Sequence, residues 1–431
     1  TQVVDIEIPE PIELERPAPG KGSLDKAAEL ISQAEFPVIL NGAGVVLSEG
    51  GIAASKALAE RLSAPVCVGY QHNDAFPGSH PLSCGPLGYN GSKAGMEMIA
   101  KADVILALGT RLNPFSSLPA YQTEYWPKDA KIIQVDINAD RIGLTKRVAV
   151  GIQGDARRVA EQILEHLSPT AGDKGRDERT HMVATARSRW AQELTSMDHE
   201  DDDPGVSWNE RAREREPDRM SPRQAWRAIQ AAMPSDAIIS TDIGNNCAIG
   251  NAYPMFEEGR KYLAPGLFGP CGYGLPSILG AKIGRPDVPC VGFAGDGAFG
   301  ISMNEMTACG RNDWKPITMV IFRNYQWGAE KRNTTLWFDD NFVGTELNQG
   351  VDYAKVAQAC GLKGVQASTP DELTEVLREA IRQQMEEGVT TFVEVILNQE
   401  LGEPFRRDAM KQPNVVAGVS KEDMRPQQPV L

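Results

Sequence analysis

Two apolar runs in the second half of the chain, residues 289–294 and 317–322, carry hydrophobic side chains at successive positions instead of alternating them with polar ones. A strand that is covered on both faces has this pattern, so we predict two buried parallel strands. Each run ends in polar residues: Asp296 follows the first, and Asn324 closes the second. A helical crossover fits between them and returns the chain parallel, so the two strand ends can lie side by side.

Short apolar runs alternate with helical stretches of about 10–15 residues over most of the chain, which predicts an α/β protein with two doubly wound parallel-sheet domains. Ser221 followed by Pro222 predicts the start of a helix over 222–232 in the second domain. We divide the chain into a residual strand and linker (1–22), a middle α/β domain (23–167), a charged linker with one helix near 180–196 (168–220), a second α/β domain (221–400) and a C-terminal tail (401–431).

Composition narrows the function classes. The chain has 431 residues and a formal net charge of −14, which argues against nucleic acid and anionic membrane surfaces as partners. It has no run of about eighteen apolar residues, so we expect no membrane span. The seven cysteines form no C-x-x-C pair, which argues against zinc and disulfides and favours a reducing cytoplasm. The chain lacks an initiator Met and opens on a segment, Val3 to Ile8, that resembles the last strand of an earlier domain, so we expect a preceding N-terminal part outside this sequence.

A carboxylate and an amide oxygen at two adjacent strand ends are hard ligands of the kind that Mg²⁺ prefers. Gly295 and Gly297 flank Asp296 and allow the backbone to approach phosphate oxygens closely. Taken alone, Gly-Asp-Gly is more often a tight turn. With Asn324 at the second strand end, we favour a site for a divalent metal ion and a diphosphate group.

Gly-Asp-Gly, a crossover and an Asn at the next strand end together resemble the signature of the thiamine diphosphate enzymes. The resemblance implies that thiamine diphosphate is the cofactor, and that Mg²⁺ is held by Asp296, Asn324 and the main-chain oxygen of Gln326. The family usually has Asn-Asn at the second position, and Arg323 departs from that pattern. The resemblance also assigns four neighbouring residues to cofactor binding: Gly295, Gly297, Ala298 and Gly328.

A second polar loop follows the predicted strand at 237–240. In the acetolactate-synthase-like branch of the family, a glycine and polar side chains bind the diphosphate here, which implies this role for Gly244, Asn245 and Asn246. Read alone, the loop is equally well explained by Asp242 capping the next helix.

In the same branch, the carbonyl of a glycine accepts a hydrogen bond from the amino group of the cofactor's pyrimidine. Two residues later, an apolar side chain holds the cofactor in its bent form. These positions are Gly269 and Cys271 in this chain. A soft, apolar cysteine suits the second role. The alternative for Cys271 is a reactive nucleophile, but nothing nearby in the sequence supplies a base.

Three charged residues, Glu330, Lys331 and Arg332, stand where acetolactate synthases are largely apolar. Basic groups near the reacting carbon would suit an anionic acceptor or leaving group such as phosphate or sulfite, whereas the segment alone would be interpreted as an exposed charged helix face. With the segment from Trp327 to Lys331, this part of the chain resembles the sulfoacetaldehyde acetyltransferase family. The resemblance extends to segments 72–77, 84–89, 341–347 and 401–409.

This resemblance implies a transferase that converts sulfoacetaldehyde and inorganic phosphate to acetyl phosphate and sulfite. It also implies a cytoplasmic homo-oligomer, a dimer or tetramer, in sulfonate metabolism such as taurine degradation. In the family, the glutamate that activates the cofactor lies in an N-terminal pyrimidine-binding domain. We find no such catalytic residue in this chain, and we expect the chain to need that domain, supplied in the same polypeptide or by a partner chain.

Two alternatives stay open at this point. One is an acetolactate-synthase-like carboligase or decarboxylase, and the other is a non-catalytic binding or regulatory protein built on the same fold.

Three further patterns receive the plainer interpretation. Gly42-Ala43-Gly44 is a fragment of a dinucleotide fingerprint, but its third glycine is not in place and Asp136 is too far along to be the usual ribose ligand, so we favour a tight strand-to-helix turn. The acidic run at 199–203 is interpreted as solvated linker, because consecutive carboxylates repel each other. Arg406 and Arg407 in the tail are interpreted as surface residues.

Overall fold

The computed structural model describes residues 15–121, 123–197, 216, 218–266, 268–311, 314–338, 341–401, 415–416 and 419–420. Within these ranges the chain forms two six-stranded sheets and a short antiparallel pair. Neighbouring strands of both large sheets run parallel.

The first sheet has the strand order β3-β2-β1-β4-β5-β6. The order reverses between β1 and β4, so the loops that follow these two strands border a crevice at the carboxyl end of the sheet. The strands are β1 Pro37–Asn41, β2 Val66–Val68, β3 Ser83–Pro86, β4 Val104–Leu108, β5 Lys131–Asp136 and β6 Val150–Gln153.

Helices cover both faces of this sheet, and alternate residues of β1 enter two different cores. Ile39 belongs to the core on one face, whereas Val38 and Leu40 belong to the core on the other. Because both faces are buried, the strand has no reason to alternate polar and apolar residues. The helices are α1 Lys21–Gln33, α2 Ala43–Leu47, α3 Gly51–Leu62, α4 Lys93–Ala100, α5 Ala156–His166 and α6 Arg176–Ser196, with 3₁₀ turns at Asn73–Ala75, Pro114–Ser116 and Ala139–Arg141.

The second sheet has the strand order β11-β12-β10-β9-β7-β8. Its strands are β7 Ile238–Thr241, β8 Tyr262–Leu263, β9 Cys290–Gly295, β10 Thr318–Arg323, β11 Lys363–Ala367 and β12 Thr391–Ile396; β13 Val415–Val416 and β14 Val419–Ser420 form the separate pair. Its helices are α7 Pro222–Ala232, α8 Asn245–Ile249, α9 Gly274–Gly284, α10 Asp296–Ser302, α11 Met306–Cys309, α12 Gly328–Trp337, α13 Tyr353–Ala359 and α14 Pro370–Glu386, with 3₁₀ turns at Gly250–Ala252 and Met303–Glu305.

The two apolar runs form the adjacent parallel strands β9 and β10, and Gly295 at the end of β9 lies opposite Phe322. The structure therefore confirms the predicted fold class of two doubly wound parallel sheets. The helix predicted to start after Ser221 is also confirmed: the Ser221 hydroxyl accepts from the Gln224 N–H, and the Gln224 side chain accepts from the Ser221 N–H in a capping box.

Between the two sheets, the helix expected near 180–196 is α6, and it packs against the first sheet's domain. Arg179 anchors it. This arginine is 1% exposed. Its guanidinium donates to five main-chain carbonyl oxygens, those of Glu35, Leu62, Ser63, Gly172 and Lys174.

Hydrogen bonds from side chains of the first domain to the main chain of the second join the two α/β domains. The buried Asp74 carboxylate accepts from the N–H groups of Lys261 at 3.0 Å and Tyr262 at 3.3 Å. The Asn73 amide donates to the carbonyl oxygens of Asn251 and Pro254, both at 2.9 Å. Burial raises the pKa of Asp74, and the main-chain donors oppose that effect.

Some sequence predictions fall outside the described residues: the strand-like opening at Val3 to Ile8, the acidic run at 199–203, and Arg406 and Arg407. The domain boundaries given above stay predictions. Among the helices that the structure describes, none combines the length and the apolar character required to cross a membrane.

Replacing Arg179 with methionine should destabilise the first domain by about 3 kcal/mol or more, because several buried carbonyl groups lose their donor. Arg189→Met on the same helix is the matched control, because Arg189 is largely exposed and pairs with Glu97. That control should cost less than about 1 kcal/mol. Urea unfolding measures both, and equal effects of the two substitutions would contradict this account of how α6 is held.

Candidate active site

The site is built around a buried carboxylate at the end of β9. Asp296 is 2% exposed. Its Oδ1 accepts from the N–H of Gly297 at 2.9 Å, and its Oδ2 accepts from the N–H groups of Asn324 at 3.1 Å and Tyr325 at 2.6 Å. Burial raises the pKa of Asp296 to about 7, although these main-chain donors work in the opposite direction.

The neighbouring strand end, after β10, turns sharply around this carboxylate. Tyr325 has a left-handed backbone with φ 58°, which aims its N–H at Asp296. Gln326 follows and pairs with Glu346 in an isolated antiparallel bridge. The Gln326 amide donates to the carbonyl oxygen of Gln399 at 3.0 Å, while its Oε1 is buried without a partner among the described residues.

Arg323, the departure from the usual family pattern, forms an ion pair with Glu394, which is fully buried on β12. Glu394 also accepts from the Ala354 N–H at 3.1 Å and from the Gln366 amide at 2.8 Å. The Arg323 guanidinium lies 4.5 Å from the ring centre of Tyr325. The arginine therefore braces the strand end that surrounds Asp296.

The second polar loop lies after β7, next to β9 in the sheet. Gly244 has φ 135°, which favours glycine, and it precedes the short helix α8 without a side-chain cap. The alternative that Asp242 caps this helix is therefore wrong. Its carboxylate instead accepts from the N–H groups of Ile243 at 2.8 Å, Gly272 at 3.1 Å and Gly274 at 2.8 Å. Asp242 thus ties this loop to the segment that carries Gly269 and Cys271.

Cys271 is half-buried, and its thiol pKa is raised by burial and by the charges of Asp242 and Glu330. A raised pKa keeps the thiol protonated, which disfavours the nucleophile alternative. Gly269 has φ 74°, and a Cβ there would lie 3.8 Å from the Ile243 side chain.

One cavity gathers most of the predicted site residues. A Cβ on Gly297 would come within 2.9 Å of the Trp327 ring, so glycine is required there. Ile243, Trp327 and Ala329 also line the cavity. The predicted residues that line it are Gly244, Asn245, Asn246, Cys271, Gly295, Asp296, Gly297, Ala298, Asn324, Gln326, Gly328 and Glu330.

Three predicted residues do not line this cavity: Gly269, Lys331 and Arg332. Glu330 is exposed, but Lys331 and Arg332 are 1% and 5% exposed, so the alternative of an exposed helix face is wrong for these two. Lys331 pairs with Glu346, and Arg332 donates to the hydroxyl of Tyr89 in the first domain. Sequence reasoning missed Tyr89 as part of this site, although the segment 84–89 that ends on it belonged to the resemblance.

The crevice in the first domain has a volume of about 630 Å³ and is lined by Gly44, Arg111 and Asp136 among others. A Cβ on Gly42 would come within 2.5 Å of the Thr110 side chain, and a Cβ on Gly44 would come within 2.6 Å of the Gly109 main chain. The two switch-point loops therefore interlock through their glycines. Gly42 precedes α2 directly after β1, which confirms the tight strand-to-helix turn.

Two family models match the chain: "Thiamine pyrophosphate enzyme, central domain" over residues 24–163, and "Thiamine pyrophosphate enzyme, C-terminal TPP binding domain" over residues 242–395. A probable sulfoacetaldehyde acetyltransferase of Rhizobium meliloti is 72% identical over 99% of this chain and 72% of its own length. Sulfoacetaldehyde acetyltransferases of Roseovarius nubinhibens and Castellaniella defragrans are 70% and 45% identical, over 99% and 95% of this chain and 71% and 68% of their own lengths.

The fold and the matched domains define a thiamine pyrophosphate enzyme. Within that class, the chain belongs to the sulfoacetaldehyde acetyltransferase family. This confirms the resemblance seen in the sequence, and the acetolactate-synthase-like and non-catalytic alternatives are not favoured.

The residues at the cavity fit the diphosphate of such a cofactor, held through a cation. Asn246 Oδ1 and Gln326 Oε1 are buried without partners among the described residues. At Gly244 and Gly295 the space where a Cβ would stand is open. No group of three or more His, Cys, Asp or Glu side chains in the described ranges could hold a metal ion. A cation at Asp296 would therefore take its other ligands from amide, main-chain and cofactor oxygens.

Metal affinity should depend on pH. A metal ion at Asp296, where the family resemblance implies one, would compete with the proton on this carboxylate, whose pKa is raised to about 7 by burial. Below pH 7 the apparent affinity for Mn²⁺, used as a spectroscopic substitute for Mg²⁺, should fall about tenfold per pH unit, and above pH 7.5 it should level off. Paramagnetic resonance titrations between pH 5.5 and 8.5 measure this. Asp296→Asn should bind weakly and without pH dependence, whereas a pH-independent affinity of the parent chain would contradict the assignment.

Arg323→Met should destabilise the second domain by about 3–5 kcal/mol, because it leaves Glu394 buried and unpaired. The double variant Arg323→Met/Glu394→Gln should recover much of this loss, since the charge is removed with its partner. Arg382→Met, an exposed arginine in ion pairs with Glu379, Glu386 and Glu387, is the control and should cost about 1 kcal/mol or less. Denaturant unfolding that finds no recovery in the double variant would refute the role given to this pair.

Proposed function

We propose that this chain forms the diphosphate-binding part of an enzyme that converts sulfoacetaldehyde and inorganic phosphate to acetyl phosphate and sulfite. The observation that carries the proposal is the contact between two adjacent strand ends, in which the Asn324 N–H after β10 donates to the Asp296 carboxylate after β9. The chain in which this contact occurs has relatives that are named sulfoacetaldehyde acetyltransferases. In this reaction the carbon–sulfur bond breaks and sulfite leaves with the bonding electron pair. The former aldehyde carbon ends bonded to a phosphate oxygen, and no external oxidant is needed.

Each part of the cavity has a role in this proposal. Asp296, Asn324 and the main-chain oxygen of Gln326 hold Mg²⁺, because they supply the hard oxygen ligands that this ion prefers. The loop of Gly244, Asn245 and Asn246 holds the diphosphate, with Gly295, Gly297, Ala298 and Gly328 giving the backbone room to approach it. Gly269 and Cys271 hold the pyrimidine end.

Thiamine diphosphate, when bound, supplies the nucleophilic carbon at which the aldehyde reacts. The chain's own residues orient the cofactor and present charge to anionic groups. Lys331 and Arg332 are the candidate cations for the sulfonate and phosphate, although neither lines the cavity in this structure, and Glu330 at the cavity wall is the third candidate substrate contact. Arginine suits these anions because its planar fork pairs with two oxygens at once.

The activating glutamate is expected in a pyrimidine-binding domain, either in the same polypeptide or on a partner chain. We further propose a cytoplasmic homo-oligomer that acts in sulfonate metabolism, with neither nucleic acid nor membrane among its partners. The net charge of −14 supports the last point.

The activity test supplies this chain, fused to the pyrimidine-binding domain of a relative, with thiamine diphosphate, Mg²⁺, sulfoacetaldehyde and phosphate. We expect acetyl phosphate and sulfite in equal amounts, and no turnover by the chain without that domain. Asp296→Ala should lower the rate by at least about a hundredfold, because the diphosphate loses its metal anchor.

The matched control is Asp287→Ala, an exposed aspartate paired with Arg285, which should leave the rate unchanged. Formation of acetolactate from pyruvate without acetyl phosphate from sulfoacetaldehyde would overturn the proposed function.

A further inference from the structure

Tyr89 is a buried residue of the first domain whose hydroxyl lies against the cofactor site of the second. It sits in the loop between β3 and α4. The hydroxyl donates to Asn245 Oδ1 at 3.3 Å and accepts from the Arg332 guanidinium. One oxygen atom thus connects the start of helix α8 with helix α12.

The main chain of Tyr89 is fixed from both domains. Its N–H donates to the carbonyl oxygen of Phe115 at 3.2 Å, within the first domain. Its own carbonyl oxygen accepts from the Asn251 amide of the second domain at 3.1 Å. Its ring is tilted against that of Tyr70, with ring centres 6.4 Å apart, and the Arg332 guanidinium lies 4.8 Å from its centre. The hydroxyl therefore has a defined position beside Asn245, a residue that lines the cavity.

The Asn245 side chain is held at both ends. Tyr89 donates to its oxygen, and its nitrogen donates to the carbonyl oxygen of Leu401 at 3.0 Å. The same nitrogen lies 3.4 Å from the point where a Cβ on Gly328 would stand, so the amide packs directly against α12. Asn245 and Gly328 both line the cavity. If the amide is released, two walls of the cavity lose their fixed spacing.

We propose that Tyr89 is a positioning residue for the diphosphate: its hydroxyl, held by the Arg332 guanidinium, fixes the Asn245 amide and so preorganises the cavity before the cofactor binds. A preorganised site binds more tightly because less ordering remains to be done on binding. This inference rests on the proposed function, since it takes the cavity as the diphosphate site. It gives the first domain a direct part in cofactor binding.

The test is calorimetric titration of the full chain with inorganic pyrophosphate in the presence of Mg²⁺, a probe that needs no pyrimidine-binding domain. Tyr89→Phe keeps the ring contacts and removes only the hydroxyl, and we expect about tenfold weaker binding. In an Asn245→Ala background the same change should alter the affinity by less than about twofold, because the group through which Tyr89 acts is gone.

The matched control is Tyr125→Phe, because Tyr125 is also buried in the first domain but its hydroxyl donates to the Ser116 carbonyl oxygen at 3.0 Å. It should lower the unfolding temperature and leave pyrophosphate affinity within about twofold. A Tyr89→Phe chain that binds as tightly as the parent, or that loses the same affinity in the Asn245→Ala background, overturns the inference alone. A parent chain that does not bind pyrophosphate with Mg²⁺ overturns the diphosphate site and the inference together.

Discussion

The site depends on a carboxylate that the fold buries at a place where its charge is costly. Asp296 is held by three main-chain N–H groups, two of them from the adjacent strand end, and burial still raises its pKa to about 7. Hydrogen bonds from neutral donors do not compensate fully for the loss of water around an ionised group. A cation beside Asp296 would compensate for that loss, and this supports the proposal that a metal ion binds here.

Parallel pairing explains why that carboxylate meets Asn324. The carboxyl ends of neighbouring parallel strands lie at the same edge of a sheet, and Gly295 lies opposite Phe322 in the register of β9 and β10. The loop after β7 reaches the same edge because β7 is the next strand along. Asp242 and Arg323 then fix the two flanking loops through buried carboxylate contacts. The first domain contributes Tyr89, whose hydroxyl donates to the Asn245 side chain.

The sequence predicts the fold class from local patterns, and it predicts most residues that line the cavity from the resemblance to the thiamine diphosphate enzymes. Unbroken apolar runs require strands covered on both faces, and polar residues directly after them fall at the functional edge of the sheet. What it cannot predict are contacts between distant positions. Arg323 and Glu394 are 71 residues apart, and Tyr89 and Asn245 are 156 apart. No local pattern pairs such residues. Lys331 and Arg332 look like a solvated helix face for the same reason: their burial depends on packing partners elsewhere in the chain.

The central claim is that one divalent ion bridges these two strand ends and a diphosphate. A crystal structure of the chain with thiamine diphosphate and Mn²⁺, with the metal located by its anomalous signal, tests it most directly. The account predicts a metal ion within about 2.0–2.3 Å of oxygen atoms from the Asp296 and Asn324 side chains and from the diphosphate. A metal ion or a diphosphate bound elsewhere, with Asp296 contacting only main-chain N–H groups, would contradict it.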